Sequence, residues 1–426
     1  MKYSRLKSIL QSKKSKQYAS LFSVNMLGIP LGMLTSIMMT RYLGPEQFGD
    51  FNFVNSIFTF AVIIINLGIF HAGNRTLVLC TDATKNREYY GTLFIVCIIL
   101  ALVMEAGVSL YALYDSNINE KGLLRTVLYV MPFGLIYLAN NFYETLLHAD
   151  NRIYLLSVYR MLPKILCLAG IILIYFLFDG DGTDKLLLTL YTYVLTHLLV
   201  IIYLAFKIKP IFRNIRSNLS TIFNHYKSFG FDIYVGSIIS IGFAALTEIL
   251  ISYFSADNTD VGYFTLAMAF SSPLLMVPST IATTNYKNFS VQKRIPSKTI
   301  KFTVLISLVA VMALWIVVPP FVKYLYGPGM MPVADINRYV SVGVMMYGMA
   351  DFFNRYLGAN GKGKILRNAS FLIGFTTLIF NVWLIPVYGV MGAAYTKICS
   401  GLVYLTIMII SYGYVVRKNN NQTQQP

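Results

Sequence analysis

Apolar residues recur along this chain in blocks about twenty residues long, from Leu21 almost to Val416, with only short polar breaks between them. Blocks of that length match the hydrocarbon thickness of a bilayer, so the pattern predicts membrane-spanning helices instead of a core folded in water. Six spans are expected at 18–40, 45–73, 89–113, 123–148, 153–178 and 185–206. Six more are expected at 229–254, 261–286, 300–325, 333–358, 365–385 and 389–416. What remains is a basic N-terminal segment (1–17), a linker (207–228) and a polar tail (417–426).

The two sets of spans resemble each other. Asn141-Phe142-Tyr143-Glu144 through Arg152 in span 4 matches Asp351-Phe352-Phe353-Asn354 through Lys362 in span 10 at an offset of 210. Tyr191-Thr192 and Tyr395-Thr396 sit early in spans 6 and 12 at an offset of 204, and Phe48-Gly49-Asp50-Phe51 corresponds to Val261-Gly262-Tyr263-Phe264 at 213. Matching helix number implies two six-helix lobes, 18–206 and 229–416. Because six is even, both lobes enter from the same side, which makes the repeat parallel about an axis along the membrane normal. The expected fold is therefore an all-α integral membrane protein of about twelve transmembrane helices, in two pseudo-symmetric lobes around a central cavity. Exposing such a cavity to each side in turn gives transport.

Composition agrees with a membrane protein. The chain is 56% hydrophobic and 12% charged, against roughly 45–50% and about 25% in soluble domains, which excludes a water-soluble fold. The formal charge of +17 comes from basic residues scattered through short loops instead of one stripe or tail, so nucleic acid is not an expected partner. Topology accounts for it: with the N-terminus inside, only Arg41, Lys121, Arg125, Lys185, Lys323 and Arg338 fall outside and Lys397 lies within span 12. The remaining Lys and Arg face the cytosol, as do both termini and the linker. Lys2 to Lys16, preceding a long apolar block without a small-residue cleavage site, reads as the lead into span 1 and not as a cleaved signal peptide. Cys80, Cys97, Cys167 and Cys399, like His71, His148 and His197, lack metal-ligand spacing, and no metal or cofactor is expected.

Four spans carry polar or small residues on one helical face. Asn25, Gly28, Gly32, Ser36 and Thr40 form such a stripe on span 1, and Asn52, Asn55, Thr59, Asn66 and Gly73 on span 2. Ser237, Ala244, Glu248 and Ser252 on span 7 and Thr265, Ser272, Ser279 and Thr283 on span 8 repeat the arrangement. Small residues so spaced also serve close helix packing, whereas asparagines such as Asn25 and Asn66 point to a wet cavity. Ionisable groups inside a span cost more, at least about 2.5–3.5 kcal/mol at the bilayer centre, so each needs a partner or a function. Glu105, Glu248, Lys164 and Lys397 are the deepest. Lys397, about 12 Å along span 12 by helical rise, is the leading candidate to hold an anionic group, and Glu105 and Glu248 are candidates for ion pairing or ion coupling. Arg41 and Arg75, at the ends of spans 1 and 2, can anchor the interface or bind phosphate in bidentate fashion. Arg160 with Lys164, and Asp351 with Arg355, are placed at a cytosolic rim, with stabilisation of helix ends as the plain alternative.

The turn Arg41-Tyr42-Leu43-Gly44-Pro45-Glu46-Gln47-Phe48-Gly49-Asp50-Phe51 resembles the span 1–2 signature of bacterial polysaccharide transporters, the Wzx-type flippases of the MATE-like MOP superfamily. Gly44 permits a sharp break, Pro45 suits a first helical position, and Glu46 complements the helix dipole. Leu67-Gly68-Ile69 through Asn74-Arg75 resembles the end of span 2 in that family. The resemblance implies a flippase that moves an undecaprenyl-pyrophosphate-linked oligosaccharide, such as an O-antigen repeat unit of lipopolysaccharide, from the cytoplasmic to the periplasmic leaflet of a bacterial inner membrane. Its charged head would be sheltered in a cationic cavity. Implied partners are this lipid-linked oligosaccharide, membrane lipids, a polysaccharide polymerase and a chain-length regulator, with coupling to a proton or sodium gradient left open. Lipid II flippases of the superfamily usually carry two extra C-terminal helices, which are not seen in this sequence, and this favours the oligosaccharide branch. A multidrug or cation antiporter is the alternative. A membrane polysaccharide polymerase is the more distant one, because outer loops such as 179–184 and 257–260 are short and carry no catalytic constellation.

Overall fold

The computed structural model describes residues 13–178 and 182–421, with side chains from Val24 to Lys418 except at Asn25, 179–183, 228–229, Asp232 and Ser240. Most of the expected 1–17 segment and 417–426 tail lies outside this range. The described residues form helices joined by short turns, with no strand among them, and they build the twelve expected rods. Eight helices are long and apolar enough to cross a membrane, and one of these, Met26–Ile65, is two passes joined by a bend.

The bend is at Gly44, whose φ of 77° and ψ of 173° break the run Lys13–Ile65 into spans 1 and 2. Only glycine adopts that backbone without steric cost, and Pro45 restarts the helix with φ already set. Span 2 departs from its expected course. It ends at Ile65, and the chain resumes as Ile69–Leu79 after a turn in which Leu67 (φ 50°) and Gly68 (φ 74°) are left-handed. A Cβ on Gly68 would lie 2.3 Å from the Gly230 carbonyl oxygen, so the turn is also a point of backbone contact.

Span 3 (Ala83–Tyr114) begins earlier than expected because the Asp82 carboxylate accepts from Thr84 N and caps it. Span 4 is broken: Leu124–Val130 passes through a tight turn at Met131–Phe133 into Leu135–Ala149. Pro132 lacks the N–H an uninterrupted helix would need there. Spans 5 (Ile153–Leu177) and 6 (Gly182–Ile208) lead to a short helix in the linker, Ile215–His225. Span 7 holds two π-turns, Tyr226–Gly230 and Ile238–Gly242, around Phe231–Ser237 before Phe243–Phe254. Span 8 runs as Thr259–Ser271 and Pro273–Thr284, and span 9 as Ser297–Phe321. Spans 10 to 12 are Pro332–Ala359, Gly363–Tyr388 and Val390–Asn421. Span 10 carries Asp335, Arg338, Asp351 and Arg355 and falls below the hydropathy of the others. It tolerates them because it is enclosed by spans 8, 9, 11 and 12, with Val340, Val344, Ala350 and Phe352 buried.

The chain forms two compact units. The first joins described residues up to Gly44 to Ile57–Val235; the second joins Pro45–Ser56 to described residues from Gly236 on. The boundaries cut spans 2 and 7 and do not follow the linker, and local contacts explain why. In the first unit the Tyr234 hydroxyl donates to the Ile64 carbonyl (2.6 Å), beside the Gly68–Gly230 contact. In the second, Asn258 Nδ2 donates to Asp50 Oδ1 (2.7 Å), and a Cβ on Gly49 would lie 1.8 Å from the Asn258 carbonyl oxygen.

Candidate functional site

In the second unit, spans 10 and 12 approach until backbone meets backbone. A Cβ on Gly343 would be 2.6 Å from the Lys397 carbonyl carbon and oxygen, and one on Gly401 would be 2.8 Å from the Gly343 carbonyl oxygen. Glycines at both positions seat the Lys397 backbone against span 10, and its ammonium then lies 4.4 Å from the centroid of the Tyr347 ring. Among the described residues Lys397 makes no ion pair. A cation over a tyrosine face gains about 0.5–2 kcal/mol, less than the hydration that burial takes from it. The internal repeat sharpens the point. Offsets of 210 and 204 map Tyr347 onto Tyr137 and Lys397 onto Tyr193, and in the first unit those rings contact each other with centroids 6.3 Å apart. The second unit has a cation where the first has an aromatic ring.

Around this pair Tyr347 contacts Tyr404 (5.6 Å), whose hydroxyl accepts from Asn354 Nδ2 at 2.8 Å. One residue on, Arg355 bridges Asp351 (2.9 Å) and donates to Ser279 Oγ on span 8 (3.2 Å), so it is tied into a helix seam. Glu248 accepts from Thr265 Oγ1 at 3.2 Å, joining spans 7 and 8. Tyr347 and Tyr404 were not singled out in the sequence, and Asn354 entered only as part of the internal repeat. The signal for Tyr347 was its one-turn proximity to the repeated Asp351–Asn354 motif.

The first unit holds the other cations. Arg160 on span 5 pairs with Glu144 on span 4, its Nε donating to Oε1 at 3.1 Å. Lys164, a turn further in, donates to the Gly28 carbonyl on span 1 at 3.3 Å. Span 5 begins at Ile153, which leaves Lys164 within the span. Glu105 accepts from Leu135 N (3.1 Å), the donor freed by the Pro132 break, and so caps the second half of span 4. Asn66 is buried and donates to Asn141 Oδ1 at 3.2 Å. Arg41 and Arg75 are exposed near the ends of their spans, and the Asn25 side chain lies outside the described residues. The structure thus draws the candidates into two sets: Lys397, Arg355 and Glu248 in one unit, and Arg160, Lys164, Glu105 and Asn66 in the other.

Twelve rods, with ionisable side chains such as Lys164 and Lys397 held inside spans, define an all-α fold of membrane-spanning helices. Solved structures with this fold include a lipid II flippase MurJ in an inward closed conformation (TM-score 0.71, 15% identity, covering 94% of this chain and 89% of that one). They also include an inward-facing multidrug resistance MATE transporter of the MOP superfamily (TM-score 0.61, 14% identity, 93% and 96% covered). A third is a MOP superfamily transporter from Pyrococcus furiosus described by the reverse polarity of its binding pocket (TM-score 0.56, 15% identity, 98% of each chain covered). No curated protein matches the chain by sequence. Residues 15–290 match the family model described as polysaccharide biosynthesis protein, and the chain belongs to that family.

Proposed function

We propose that the protein flips a polyprenyl-pyrophosphate-linked oligosaccharide, a surface polysaccharide repeat unit, from the cytoplasmic to the outer leaflet of a bacterial plasma membrane by alternating access. The observation that carries this reading is Lys397, a cation inside a span, stacked on Tyr347 and paired with no carboxylate among the described residues. A pyrophosphate crossing low-dielectric surroundings needs such a cation, because an isolated charge there is strongly disfavoured. Membership of a polysaccharide biosynthesis family supports a glycan cargo. Arg41 and Arg75, exposed near the ends of spans 1 and 2, receive the same charge at the outer and inner mouths. The test is surface glycan at matched protein level. Lys397→Ala abolishes it and Lys397→Arg keeps much of it; normal display by the alanine variant overturns the role of Lys397.

A further inference from the structure

The linker between spans 6 and 7 has a basic face apart from the candidate site described above. From Lys207 to Lys227 it carries Lys207, Lys209, Arg213, Arg216 and Lys227 and no acidic residue. It is fastened to the first unit at several points. Arg87 Nε donates to the Lys209 carbonyl (2.7 Å), Ile211 N to the Arg87 carbonyl (2.9 Å), and Asn218 Nδ2 to Thr92 Oγ1 (3.3 Å). Gly91 is needed there, since a Cβ would lie 2.3 Å from the Ile211 carbonyl oxygen.

This anchoring fixes the rotation of the helix Ile215–His225. Asn218 and Ile222, 1% and 2% exposed, face spans 2 and 3. Ile215, Leu219 and Phe223, at i, i+4 and i+8, fall within an arc of about 80° on another side. They are 37%, 43% and 50% exposed. Ser217, Ser220 and Asn224 occupy a third side and are exposed. Arg216 borders the apolar strip, and Lys227 lies over the Phe223 ring at 5.0 Å. The helix begins a few residues after span 6 ends at Ile208, so it starts at the membrane boundary.

We propose that this strip is an interfacial anchor, in which Ile215, Leu219 and Phe223 enter the acyl boundary of the bilayer and Arg213, Arg216 and Lys227 hold anionic phospholipid headgroups. A three-sided helix of this kind, with one face docked, one apolar and one polar with basic borders, suits the plane of a membrane surface. The unopposed positive charge selects anionic lipid over zwitterionic lipid. The alternative occupant, an acidic protein, would leave the apolar strip in contact with that protein and out of lipid.

The experiment uses the full chain in nanodiscs, with Phe223→Trp as reporter and the wild type, which retains Trp315 and Trp383, as background. Phospholipid brominated near the top of its acyl chains quenches the added emission, and brominated phosphatidylglycerol quenches more than brominated phosphatidylcholine at equal fraction. That preference amounts to up to about fivefold per basic residue at low salt and shrinks as salt is raised. Arg216→Gln alone lowers it, and Arg213→Gln with Arg216→Gln and Lys227→Gln removes it while quenching by phosphatidylcholine persists. Quenching by aqueous iodide but not by either brominated lipid overturns the anchor. Equal quenching by the two lipids in the unmutated linker overturns the headgroup site.

Discussion

Replacing Gly343 with alanine tests how spans 10 and 12 seat the central lysine. The added Cβ would sit 2.6 Å from the Lys397 carbonyl carbon and oxygen and 2.9 Å from Ile398 N, where ordinary contact begins at 3.4 Å. The helices must separate by roughly 1 Å, and rigid backbone, not a flexible side chain, is what has to move. Overpacking of this kind costs about 1–3 kcal/mol, and the better helix propensity of alanine returns roughly 0.5–1 kcal/mol. The net loss is about 1–2 kcal/mol, which lowers the melting temperature of a unit this size by roughly 2–8 °C. Gly107 is the control, because a Cβ there meets nothing within 4 Å, and Gly107→Ala should melt at or slightly above wild type. The assay is thermal unfolding of the detergent-purified protein at one fixed scan rate. The reasoning is refuted if Gly343→Ala melts at or above wild type.

Glu105→Gln keeps an oxygen for the Leu135 amide and should leave both melting and transport near wild type, whereas Glu105→Ala should cost about 1–2 kcal/mol as a lost cap; loss of glycan display in a well-folded glutamine variant would instead make Glu105 a coupling residue. Asn258 is buried, donates to Asp50 and accepts from Ser252 Oγ at 2.5 Å. Asn258→Ala should therefore destabilise by about 1–3 kcal/mol per orphaned partner, read by the same melting assay, with an unchanged transition counting against the contact. The proposed cytosolic linker is best probed by Ser220→Cys, an exposed position; labelling of that cysteine by an impermeant reagent in intact cells, beyond the background of the native cysteines, would reverse the topology.

The positions of the spans were legible because apolar runs of bilayer length leave few alternatives, and the break at Gly44-Pro45 followed from the φ each residue allows. The discontinuities inside spans were harder to read. Leu67 adopts φ 50° although nothing in its own chemistry favours it; the turn forms where Gly68 meets Gly230, a contact 162 positions away in sequence. Span 4 was expected as one helix over 123–148, whereas it breaks at Pro132 and the second half takes its cap from Glu105 on span 3, a partner that periodicity does not reveal. The Phe48–Phe51 signature reads locally as a turn, yet Gly49 and Asp50 also receive Asn258, which periodicity cannot reveal. Asn218 shows the same limit: a linker position that looks solvated is bonded to Thr92 and buried. Lys397 could be found as a misplaced charge, but Tyr347 beneath it depends on the register of two helices set by Gly343 and Gly401.

The most direct measurement is translocation by purified protein in liposomes, loaded with a polyprenyl-pyrophosphate-linked oligosaccharide and probed with a membrane-impermeant lectin. Wild type should bring the glycan into balance between the leaflets, Lys397→Arg should do so more slowly, and Lys397→Ala should leave it where it was loaded. If wild type leaves the glycan in place, or instead moves small amphipathic cations, the flippase account is wrong and the antiporter reading takes its place.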